Sequence, residues 1–101
     1  MATDLAVYPD AGSNLYYPAL GLAGESGEVC ERVKKLIRNK DGVMDEFFKN
    51  GIKLELGDVL WYIANMAREI GVTLEDVAQS NINKLVDRRN RGVLKGEGEN
   101  R

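Results

Sequence analysis

The chain has 101 residues, 44% of them apolar and 30% charged, an ordinary globular composition with room for one small core. Its net charge is −2 with Lys and Arg scattered, which argues against a nucleic-acid-binding surface. One cysteine, Cys30, excludes an intrachain disulfide and a thiolate zinc cluster, and the lack of histidine argues against a zinc or di-iron site of the usual kind.

No apolar run approaches the roughly twenty residues needed to span a bilayer. No signal-peptide pattern opens the chain, so a cytoplasmic protein with neither membrane nor nucleic acid as partner is expected. Residues 2–7 read as a short helix ending before Pro9, and 10–14 as a loop by turn chemistry. Pro18 suits a first helical turn, and from there to about Arg38 the pattern is helical, with Leu22, Val29, Val33, Leu36 and Ile37 as its apolar stripe. Residues 39–42 break it. Residues 43–50 are ambiguous, with Met44, Phe47 and Phe48 able to form one amphipathic turn.

A second helix is predicted from about Gly51 to Ile70, facing inward through Ile52, Leu56, Val59, Ile63, Met66 and Ile70 and closed by Gly71. Thr73, followed by Leu74-Glu75-Asp76, reads as the N-cap of a third helix to about Arg91. The segment 92–101, rich in glycine and charge, reads as an irregular tail. No strand pattern is present. The expected fold is a single all-α domain over 1–101: a helical hairpin plus a third long helix.

Two acidic pairs stand inside the first two helices, Glu25 with Glu28 and Glu55 with Asp58. Residues three apart share a helix face. With Glu25 set at zero and about 100° per residue, Val29 and Val33 fall near 40° and 80° while Glu28 falls near −60°. Setting Glu55 at zero puts Val59, Ile63 and Asp58 at the same offsets. Both pairs therefore border their apolar stripes alike, and antiparallel packing through the stripes would bring them together at one end of the seam. Gly27 and Gly57, each costing about 1 kcal/mol against alanine, would permit the close approach. Four carboxylates near an apolar seam are costly unless neutralised. A hard divalent cation such as Mg²⁺ or Mn²⁺ does this with oxygen ligands alone. The plainer reading is that such acidic residues are the solvated edges of amphipathic helices.

Residues 21–29 (GLAGESGEV) followed by residues 55–62 (ELGDVLWY) resemble the MazG-like nucleotide pyrophosphohydrolases of the all-α NTP pyrophosphatase superfamily. The likeness extends to residues 81–85 (NINKL) with Arg88, and to the closing KGEGENR. It implies hydrolysis of a nucleoside triphosphate to monophosphate and pyrophosphate with Mg²⁺ or Mn²⁺. It implies Glu25, Glu28, Glu55 and Asp58 as metal ligands and the catalytic set, with phosphate contacts from Asn81, Lys84 and Arg88. Some relatives carry an acidic residue where this chain has Gly24, which leaves the general base unassigned. Family members assemble as dimers or tetramers of helical hairpins, so a homo-oligomeric, four-helix-bundle-like assembly is implied. Some phage-borne relatives prefer guanine nucleotides, although no residue here visibly selects guanine. The rival from another class is a non-catalytic helical oligomer or adaptor.

Several other residues carry expectations. Glu31, near −120° on the wheel, reads as exposed or supporting rather than ligating. Lys34, Lys35 and Arg38 suit either a solvated helix end or phosphate contact. Tyr16, Tyr17, Trp61 and Tyr62 suit packing or base stacking, with Trp61 placed at a subunit interface. Cys30 reads as a small buried hydrophobe.

Overall fold

The computed structural model describes residues 8–92, which form three helices and, among those residues, no strand. They are α1 (Tyr16–Lys40), α2 (Glu46–Glu69) and α3 (Leu74–Gly92). The fold is all-α, as expected. The helix expected at 2–7 and the tail from 93 onward lie outside the described residues.

Each helix boundary has a local chemical cause. Asn14 accepts from the Tyr17 backbone N–H at 3.1 Å, satisfying one of the unpaired donors of the first turn of α1. The chain then leaves α1 through Asp41 (φ 52°) and Gly42 (φ 77°), both left-handed. Asp45 caps α2 by accepting from the Phe48 N–H at 2.8 Å. The predicted start at Gly51 is therefore five residues late: the ambiguous stretch with Phe47 and Phe48 is the first turn of α2, and Gly51 is a buried interior residue. The end of α2 is a Schellman closure as Gly71 predicted. Gly71 has φ 84°, its N–H meets the Arg68 carbonyl at 3.0 Å, and the Val72 N–H meets the Ala67 carbonyl at 2.9 Å. Thr73 opens α3 with a reciprocal capping box, Asp76 N–H to Thr73 Oγ1 at 3.0 Å and Thr73 N–H to Asp76 Oδ2 at 3.1 Å.

Helices α1 and α2 form an antiparallel hairpin, with Arg32 beside Gly51 and Glu55, Glu25 beside Asp58, and Gly21 beside Tyr62. Its core is narrow: Pro18 and Leu36 from α1, and Gly51, Ala64, Asn65 and Ala67 from α2. Asn65 is wholly enclosed and donates its Nδ2 back to the Trp61 carbonyl at 2.9 Å. One seam between two helices covers only part of each apolar stripe. Val33, Ile37, Leu56 and Ile70, expected inside, stand exposed.

At the open end of the hairpin, a segment before α1 is tied to the end of α2. The Tyr8 hydroxyl donates to Glu69 Oε2, and the backbone N–H groups of Gly12 and Asn14 reach the same carboxylate at 2.7 and 2.9 Å. Tyr8 stacks on Tyr17 with centroids 4.9 Å apart and lies edge-on to Trp61 at 6.4 Å. Trp61 in turn meets Tyr62 edge-on at 4.9 Å. Trp61 is half-buried and packs within the chain against Tyr8 and Tyr62, where the residues before α1 fold back over that side of α2. Tyr16, by contrast, is 78% exposed.

Candidate metal centre

Antiparallel pairing of α1 and α2 brings Glu25, Glu55 and Asp58 together, each offering an oxygen within 4.8 Å of the others. Glu25 and Glu55 are half-buried and Asp58 is exposed. The cluster lies midway along the seam rather than at one end of it. Each acidic pair sits near the middle of its own helix, so antiparallel register brings the two middles together. Glu28, one turn from Glu25 toward the loop, is exposed and outside the trio.

Burial pushes the Glu25 carboxyl above its usual range, and the charges of Asp58 and Glu55, a hydrogen bond with Asp58 and the charge of Glu28 push it the same way. Burial also raises the Tyr62 hydroxyl, helped by Tyr17, Glu25 and Asp58, which places this phenol at the edge of the acidic group. Three carboxylates facing one point are a donor set suited to a hard divalent cation, with room left for water or phosphate oxygens. The residues present fit such an ion.

Two glycines flank the cluster, and they are not the two singled out by spacing. A Cβ on Gly27 or Gly57 would meet nothing within 4 Å, so neither mediates the approach of α1 to α2. A Cβ on Gly21 would overlap the Tyr62 ring, and one on Gly51 would overlap the Arg32 guanidinium. Arg32 Nε donates to Glu55 Oε2 at 2.9 Å, with the two side chains 39% and 14% exposed. Arg32 escaped notice in the sequence although a signal was there: it falls near −20° on the wheel, between Glu25 and Glu28.

The remaining candidates are on α3 or on the outer face of α1. Asn81 and Lys84 line an apolar groove of about 610 Å³ between α2 and α3, together with Leu60, Ile63 and Val77. Among the described residues, neither forms an ion pair with the acidic trio. Arg88 is half-buried one turn further along α3. Glu31 pairs with Lys34 at 3.6 Å, away from the cluster. Cys30 is exposed rather than buried, because it falls on the side of α1 that α2 does not cover.

Residues 17–93 match the family model of the MazG nucleotide pyrophosphohydrolase domain. The chain belongs to that family. Among individual proteins it is similar to the Gene 37 protein of Mycobacterium phage L5, 46% identical over 105 residues that span 99% of this chain and 92% of the relative. No solved structure matches it. The MazG match runs from the second residue of α1 to just past α3, so both acidic pairs and the α3 candidates lie inside it. No helix among the described residues is long and apolar enough to cross a membrane.

Proposed function

We propose that this MazG-family chain is a divalent-metal-dependent pyrophosphohydrolase that converts a nucleoside or deoxynucleoside triphosphate to its monophosphate and pyrophosphate, in control of the nucleotide pool of the cytoplasm. The observation that carries this reading is the convergence of Glu25, Glu55 and Asp58 from two helices onto one point, within a matched MazG domain. Those three residues would hold the ion, and Glu28 would join them by turning its exposed side chain. A bound Mg²⁺ or Mn²⁺ supplies positive charge for the triphosphate and acidifies an attacking water. The Tyr62 hydroxyl stands at one edge of the carboxylates, beside Glu25 and Asp58. Asn81 and Lys84, with Arg88 behind them, offer a donor and cations for the phosphates.

The working unit in this reading is a homo-oligomer, a dimer or tetramer, because the apolar faces of α2 and α3 have little cover from the other described residues. The test is a pyrophosphate-release screen over all common ribo- and deoxyribonucleoside triphosphates with Mg²⁺ or Mn²⁺. Turnover with at least one of them, abolished in Glu55→Gln, is expected, and the preference among bases shows whether guanine is favoured. No turnover with any, or full rate in Glu55→Gln, defeats the reading in favour of a helical adaptor.

A further inference from the structure

Glycine in the interior of a helix costs about 1 kcal/mol against alanine, so a buried glycine there calls for a reason. At Gly51 the reason is Arg32. The guanidinium lies against the bare backbone of α2 at this point, in space that any Cβ would occupy. From that seat Arg32 Nε reaches Glu55 Oε2 at 2.9 Å, one helical turn further along α2. A planar guanidinium resting on backbone has few alternative orientations, and neither has the carboxylate it holds. The carboxylate so held is one of the acidic trio.

We propose that Arg32, seated on Gly51, is the positioning residue that fixes Glu55 in its ligand orientation. This rests on the metal reading above and adds a residue pair to it. A Glu side chain ordered only on metal binding loses rotamer freedom at that moment, whereas one already held does not. Outer partners that orient metal ligands typically change metal affinity 10- to 100-fold when removed. An opposing effect exists, since a cation beside the site repels Mn²⁺. The two effects predict opposite outcomes and can be separated by variants that keep the charge.

The decisive variants are Gly51→Ala, which displaces the guanidinium while leaving Arg32 in place, and Arg32→Lys, which keeps the charge without the planar seat. In both variants the group that must adjust is the partly exposed, flexible side chain at position 32, so a folded protein is expected, checked by circular dichroism and melting without metal. Mn²⁺ binding is measured by calorimetry on the full chain, beside kcat and KM for the triphosphate that the wild type uses best. Expected is a Kd for Mn²⁺ raised about 10-fold or more in both variants, with kcat largely restored at saturating Mn²⁺. Wild-type affinity in Gly51→Ala, or tighter binding in Arg32→Gln, overturns the positioning role and leaves only repulsion. A wild type that binds no Mn²⁺ overturns the metal reading itself.

Discussion

The carboxylates differ in how much of the site each one makes. Glu25 and Glu55 are half-buried members of the trio, whereas Glu28 stands outside it. Mn²⁺ affinity should therefore fall at least about 10- to 100-fold in Glu25→Gln and Glu55→Gln, judged against outer-partner losses, and by less in Glu28→Gln; titration calorimetry ranks the three. Protons compete for the same charge. The folded protein binds the Glu25 proton more tightly than the unfolded chain does, because its carboxyl is raised by burial and by neighbouring acids. The resulting stability is present below the ordinary carboxylate range and is lost as pH rises through the raised value. With Mn²⁺ present the trend should reverse, since a cation favours the ionised form. Melts of wild type and Glu25→Gln across acid to neutral pH, with and without Mn²⁺, should isolate both trends as the difference between the two proteins, because the Glu69 and Asp45 contributions are common to both. At this scale the sequence revealed the acids through matched wheel angles but pointed to the wrong glycines. A glycine states that a Cβ is missing; which partner fills the space follows only from the register of the two helices.

Among the elements, the hairpin depends on both flanking contacts. Gly21→Ala would drive a methyl group into the Tyr62 ring, which is also held by Tyr17 and Trp61. Overpacking of this kind costs about 1–3 kcal/mol, and denaturant unfolding should register it. The segment before α1 depends on Glu69, whose carboxyl is held below its usual range by the Tyr8 hydroxyl and then by the Gly12 and Asn14 N–H groups. That stabilisation is complete above the ordinary carboxylate value and is lost as pH falls through the lowered one. Acidification, or Glu69→Gln at neutral pH, should free Tyr8 from its place 6.4 Å from Trp61, with a change in tryptophan fluorescence. No change in emission for Glu69→Gln would refute the clamp. The existence and order of the three helices were legible because caps and closures are local: Thr73 with Asp76, and Gly71. The α2 start was missed because Gly51 resembled a boundary, while the Asp45 cap just before Phe47 and Phe48 was the true one. The Glu69 clamp spans more than fifty residues of chain, so no local pattern signals it.

Across the whole molecule, the hairpin leaves α3 with no buried residue. The radius of gyration is 17.0 Å, against roughly 13 Å for a compact domain of this length. Val77, Asn81 and Lys84 line the groove toward α2, while Ile82, Leu85 and Val86 point to a different side of α3, centred about 130° around the helix from Val77. Ile82 is 53% exposed and Leu85 47%. Isolated helices are marginal in water without a packed apolar face, so α3 calls for a cover that the described residues do not supply. A second copy is the expected cover, since α2 also leaves Leu54 and Leu56 exposed. Stable protein interfaces bury about 1,200–2,000 Å² in total. Light scattering after gel filtration should give a mass at least twice the 11.2 kDa of one chain. The double substitution Ile82→Glu with Leu85→Glu would place two charges in that interface, each costly to bury unpaired. It should shift the protein toward the monomer, lower its helical circular dichroism, and make any remaining activity rise steeply with protein concentration. A wild type that stays at 11.2 kDa at every concentration, with α3 fully helical, would refute assembly and leave α3 to be explained within one chain.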